Sequence, residues 1–188
     1  MKWIGNRISF VDEKLKTTIV IRPETSIWIQ AIMGAWVAMW MVIGGAVIWS
    51  IFTMTLSNQE KIILYVFLSF WFYYAFRVTR SFLWLKWGKE LLKIDEVALF
   101  YKKSIKGYGS SKPYYFENIK KISLDIPKDR SLQIAWESSP WIRGGERISF
   151  EYMGKIIKIG QKLNEKDAKL LFQLVTKKIE DKLKKRRD

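Results

Sequence analysis

Three hydrophobic patterns divide the chain. From Thr25 to Gln59 no residue is charged, and the heart of that run, Ile27 to Phe52, is mostly Ile, Val, Met, Ala and Trp. A helix rises about 1.5 Å per residue and a bilayer core is about 30 Å thick, so roughly 20 apolar residues suffice to cross it. This run exceeds that length, and so does a second one from Ile62 to Leu85 that closes on Trp87. The pattern predicts transmembrane helices over 26–56 and 62–87. The polar link Ser57-Asn58-Gln59-Glu60-Lys61 is too short to fold alone, which makes the two helices antiparallel neighbours.

On either side of this hairpin the period changes. In residues 1–23, Arg7 to Val11 and Thr18 to Ile21 are rich in β-branched and apolar residues around the polar Asp12-Glu13-Lys14, which reads as a β-hairpin. Two strands alone are marginal in water, so this hairpin is expected to lie on a folded domain or on the membrane surface. Beyond Trp87 the pattern turns to short strands: Glu90–Ile94, Val97–Lys103, Pro113–Phe116, Ile119–Ile126, Ser131–Glu137, Glu146–Met153 and Lys155–Ile159. The third pattern is helical again, over 165–186. Asn164 is its N-cap, Asp167 stands at the third position of a capping-box-like arrangement, and Ala168, Leu171, Phe172, Val175, Ile179 and Leu183 form one apolar stripe. The expected fold class is thus an α+β membrane protein: a transmembrane helical hairpin followed by a β-barrel or sandwich over 88–188 with a C-terminal capping helix.

Composition narrows the chemistry. Of 188 residues none is Cys or His, which removes disulfides, thiolate metal sites, thiol nucleophiles and the usual neutral-pH base. The acidic residues Glu90, Asp95, Glu96, Glu117, Asp125, Asp129, Glu137, Glu146 and Glu151 are interleaved with Lys and Arg, a distribution expected of solvated faces rather than of a catalytic pair. The Gly-rich loop 106–112 lacks the G-x-x-x-x-G-K-[ST] spacing of a phosphate cradle. No enzyme, cofactor or metal is expected.

The net charge of +15 could suit nucleic acid, but its distribution points elsewhere. Arg22, Lys14 and Lys16 precede the first span, and Arg77, Arg80, Lys86, Lys89 and Lys93 close the second, whereas the connecting turn has only Lys61 beside Glu60. The positive-inside rule then puts both termini in the cytoplasm.

Two sets of residues are candidates for binding. Ala31, Gly34, Ala35 and Ala38, with Gly44 and Gly45 further on, supply the small-xxx-small pattern of helix packing, toward either the chain's own second span or another protein's helix. The second span carries rings on every side, from Tyr65 through Phe76 to Trp87, more than one partner helix can cover. Arg77, Arg80 and Lys86 read as interfacial anchors or as contacts to anionic lipid or a partner carboxylate. Lys102, Lys103, Lys106 and Lys112, with the tail Lys184, Lys185, Arg186 and Arg187, form the other candidate surface for lipid or a partner, the tail being alternatively a solvated helix end.

The segment Phe116-Glu117-Asn118-Ile119-Lys120-Lys121-Ile122 and the lead-in Gly160-Gln161-Lys162-Leu163-Asn164-Glu165-Lys166-Asp167-Ala168 resemble motifs of the bacterial pleckstrin-homology-like (PH-like) domain. The layout of two spans followed by such a domain is similar to small bacterial membrane proteins of the YcxB-like kind and to the photosystem I assembly factor. The N-terminal hairpin has no counterpart in that layout. The resemblance implies a scaffold in the bacterial cytoplasmic (inner) membrane, binding anionic membrane lipids, partner proteins or a larger membrane complex, without a reaction of its own. The expected function is an accessory or assembly subunit, with a stand-alone lipid-surface sensor or anchor as the alternative and no nucleic acid as partner.

Overall fold

The computed structural model describes residues 1–23, 26–126, 139 and 144–185, the side chain of residue 185 excepted. Two compact units emerge: Met1–Glu24 together with Trp87–Asp188, and Thr25–Lys86.

The first unit is built on two antiparallel sheets. Strands β1 (Lys2–Ile4), β2 (Ile8–Asp12), β3 (Thr17–Ile21), β4 (Gly88–Ile94), β5 (Ala98–Ile105) and β6 (Ser111–Tyr115) pair in sequential order in one sheet, and β7 (Ile119–Leu124), β8 (Glu146–Tyr152) and β9 (Lys155–Gln161) form the other. The N-terminal segment therefore belongs to the domain. It adds three strands, one more than its sequence pattern predicts, and β3 pairs with β4 in the register Ile21↔Glu90, Ile19↔Leu92 and Thr17↔Ile94. The whole second unit is an insertion between these two hydrogen-bonded neighbours.

Alternation sorts the side chains. Ile8, Ile19, Ile21, Leu92, Ile94, Leu99, Tyr101 and Tyr114 from the first sheet join Ile148, Phe150 and Ile159 from the second in one core. Helix α3 (Glu165–Lys185) covers it with Ala168, Leu171, Val175 and Ile179. Its start follows the predicted cap, with the Asp167 N–H donating to Asn164 Oδ1 at 2.7 Å. Of the expected barrel or sandwich, no closed barrel forms among the described residues. After β6 the chain enters a 3₁₀ turn, Phe116–Asn118, which ends the first ladder before β7 opens the second. The strand expected at Ser131–Glu137 lies outside the described residues.

The second unit is a pair of helices long and apolar enough to cross a membrane, α1 (Ile27–Thr53) and α2 (Asn58–Trp87). α2 starts four residues earlier than the apolar run predicts because Ser57 and Glu60 make a capping box. Glu60 Oε2 accepts from the Ser57 N–H at 2.8 Å, and Ser57 Oγ accepts from the Glu60 N–H at 3.4 Å. The shielded positions include a set at alternating spacings of three and four: Gln30, Met33, Val37, Trp40, Gly44, Val47 and Ile51 on α1, and Leu64, Leu68, Trp71, Ala75, Val78, Phe82 and Leu85 on α2. That is the heptad period of a left-handed helix pair. At its middle the Trp71 indole N–H donates to the Trp40 carbonyl at 2.8 Å and the Trp40 indole N–H to the Trp71 carbonyl at 3.3 Å.

Candidate functional site

Among the small residues of α1, Gly44 carries the tightest contact. A Cβ there would stand 2.1 Å from the Trp71 ring, whereas one at Gly34 would meet Phe82 at 3.3 Å and one at Gly45 would face open space. Ala31, Ala35 and Ala38 are exposed and lie outside the seam. Gly44→Val should therefore force the indole out of its bonds with Trp40 and cost roughly 1–3 kcal/mol of hairpin stability, while Gly45→Val costs far less. Thermal denaturation in detergent of the two variants checks this difference.

Outside the seam the hairpin is an apolar surface. Only Met33 and Gly44 of α1 and Ala75, Ser81 and Leu85 of α2 are buried, and Phe70, Phe72, Tyr73 and Phe76 are all more than half exposed. A core helix of a water-soluble fold would hide such a surface, and patches of this kind mark contacts with lipid or protein. Arg77 is exposed and donates through Nη1 to the Tyr73 hydroxyl at 3.2 Å, Arg80 is exposed, and Lys86 Nζ sits 5.9 Å from the Phe82 ring centroid.

On the sheet unit the predicted lysines divide. Lys102 Nζ donates to the Gly107 carbonyl at 2.8 Å, and Lys106 Nζ lies 3.9 Å from the Trp87 ring centroid, so these two gather around the turn after β5. Lys103 pairs with Glu146 at 3.0 Å instead, and Lys112 stands exposed on the edge strand β6. Because Gly88 pairs with Ile105, the β5–β6 turn is at the end of the sheet where the insertion joins. Arg22 is at that end too, 5.5 Å from the ring centroid of Trp3. Trp3, Arg22, Trp87 and Lys89 thus belong to the same end of the sheet, a grouping that depends on the β3–β4 pairing and has no local signal in the sequence.

The tail divides as well. Lys184 is exposed, the Lys185 side chain lies outside the described residues, and so do Arg186 and Arg187. The preceding turns of α3 are fastened to the β2–β3 turn: Lys182 Nζ donates to the Leu15 carbonyl at 2.8 Å, and Lys178 pairs with Asp12. The Lys178 ammonium, with the Thr17 hydroxyl at 2.6 Å, holds the Asp12 carboxyl below its ordinary value. A carboxyl lowered on folding stabilises the protein above its unfolded value and loses that contribution as pH falls from there through the folded value. Asp12→Asn should accordingly lower stability at neutral pH and leave a shallower loss below about pH 4, read from urea midpoints across pH.

One acid overturns the expectation of solvated faces. Glu90 is 2% exposed and turned into the core, where Oε2 accepts from the Gly160 N–H at 2.9 Å and the Tyr101 hydroxyl at 3.1 Å, and Oε1 from the Gln161 N–H at 3.0 Å. Burial, with the Glu90 carboxylate beside it, pushes the Tyr101 phenol far up. From the carbonyl side of the same residue, buried Arg7 donates through Nη2 to the Gln161 carbonyl at 3.2 Å, through Nη1 to the Lys162 carbonyl, and through Nε to the Arg22 carbonyl at 2.9 Å. Both carboxylate oxygens of Glu90 accept from structural donors, which makes it a clamp between sheets.

Among the described residues no three acidic, Cys or His side chains cluster as a metal site would require. No protein-family model, curated protein or solved structure matches this chain.

Proposed function

We propose that the chain is a two-span integral membrane protein of the accessory or assembly kind. Its hairpin binds helices of another membrane protein, its two-sheet domain holds that hairpin at the cytoplasmic surface, and neither part carries out a reaction. The observation that carries this reading is the thinness of the seam. Met33, Gly44, Ala75 and Leu85 are buried along it, while Tyr65, Phe70, Phe72, Tyr73, Tyr74 and Phe76 of α2 are exposed. Lipid alone tolerates such a surface, but large aromatic side chains spread through the middle of a span exceed what an interfacial belt uses. Orientation is supported by two independent features. Basic residues flank both outer ends of the hairpin, and the pairing of β3 with β4 ties those two ends to one sheet, hence to one side of the membrane.

A photo-activatable residue at Phe72, compared with one at Met33 in the seam, tests partner binding in native membranes. The reading expects Phe72 to cross-link one discrete membrane protein and Met33 to cross-link only within the chain. Cross-links from Phe72 to lipid alone would favour a stand-alone lipid-surface sensor or anchor, the reading supported by the basic and aromatic residues where the insertion joins the sheet.

A further inference from the structure

Two tryptophan–cation pairs stand at the root of the insertion, one on each side. Trp3 and Arg22 flank the exit of β3, and Trp87 and Lys106 flank the entry of β4. Between them lies Lys89, exposed on β4. The register places Ile21 opposite Glu90 and Lys89 opposite Ser104, so Arg22, Lys89 and the β5–β6 turn occupy three adjacent strands at one end. With strands about 4.8 Å apart, the three cations span roughly 10 Å, the scale of a phospholipid headgroup.

Among the described residues the charge there is uncompensated. The outward positions of β1 to β6, alternate to those in the core, include no acidic residue. Glu90, next in sequence to Lys89, is turned inward and occupied by the Gly160 and Gln161 amides. Among the described residues no carboxylate lies within ion-pair reach of Arg22, Lys89 or Lys106. Beyond Lys106, Tyr108 closes the turn against Ile105 with 84% of its surface exposed. Cations that meet phosphates, interleaved with Trp and Tyr at the depth where a span leaves the hydrocarbon, are the chemistry of a headgroup contact.

We propose that this end of the six-stranded sheet is a binding site for the phosphate of an anionic phospholipid, held by Arg22, Lys89 and Lys106 with Trp3 and Trp87 beside it. The proposal rests on the membrane-spanning reading of the hairpin, since that places the site at headgroup depth. It differs from a general basic surface in being local: the lysines of the second sheet take no part.

The test uses the full chain in neutral-detergent micelles, titrated with short-chain phosphatidylglycerol or phosphatidylcholine and read as retained lipid by native mass spectrometry. The wild type should prefer phosphatidylglycerol, and the triple variant Arg22→Gln/Lys89→Gln/Lys106→Gln should lose about 100-fold in affinity for it without change toward phosphatidylcholine. A second triple variant, Lys120→Gln/Lys155→Gln/Lys158→Gln, removes the same charge from exposed positions of the other sheet and should retain the preference. Equal loss in both variants, no preference in the wild type, or displacement of phosphatidylglycerol by an acidic peptide of equal charge would overturn the site. A chain that leaves the membrane fraction under alkaline carbonate would instead refute the spanning reading beneath it.

Discussion

A fragment of residues 88–188 is expected not to fold, although the sequence pattern alone marks it as the soluble domain. It lacks Ile8, Ile19 and Ile21, each essentially inaccessible to water in the shared core. Fully burying a side chain of this size contributes about 1.5–3 kcal/mol, so the three together supply on the order of 5–9 kcal/mol. A whole domain is stable by only about 5–15 kcal/mol, and the fragment also exposes the β4 edge that β3 covers. The complementary expectation is that a chain joining Arg22 to Lys89 through Asn-Gly folds as a water-soluble protein. That turn closes a two-residue hairpin compatible with the Ile21↔Glu90 register. Urea unfolding followed by circular dichroism distinguishes the two: a cooperative transition for the joined chain and none for the fragment. A cooperative transition in the fragment would show that the N-terminal strands are an accessory.

Glu90→Ala should be the most damaging single substitution in the sheet unit. It leaves the Gly160 and Gln161 amides and the Tyr101 hydroxyl without their acceptor in a site closed to water. Each orphaned donor costs about 1–3 kcal/mol, so a loss of roughly 3–9 kcal/mol is expected. Glu90→Gln keeps the volume and one acceptor oxygen but turns an NH₂ toward donors, and should fall between. Because Arg7 grips the carbonyl of the residue whose N–H Glu90 holds, Gln161, Arg7→Ala and Glu90→Ala should cost less together than the sum of each alone. Midpoints of thermal unfolding for the three variants and the double variant check both the size and the coupling.

These two predictions also mark how far the sequence was legible. Local periods gave the two long apolar helices, most strands of the domain and the cap of α3 at Asn164, because each depends on neighbours within a few residues. The start of α2 was within reach as well, since Ser57 and Glu60 have capping-box spacing, but the polar run 57–61 reads equally as a turn. Pairing of β3 with β4 was not legible, because nothing local links strands on either side of a long insertion. With that pairing hidden, the N-terminal strands looked like an addition, Glu90 looked like a solvated acid, and Arg22 and Lys106 had no reason to be considered together. The small residues of α1 show the same limit. Gly44 and Ala35 are alike in sequence terms, and only the position of Trp71 on the facing helix makes one a contact and leaves the other exposed.

The absence of native cysteine makes the central claim directly measurable. Single cysteines placed at Lys14, Asn58 and Lys158 in the full chain can be labelled with a membrane-impermeant maleimide in sealed right-side-out membranes. A hairpin that crosses the bilayer twice from a domain made of both chain ends predicts that position 58 is labelled at once and that positions 14 and 158 are labelled only after permeabilisation. Labelling of 14 and 158 on opposite sides, or of all three alike before permeabilisation, would contradict it.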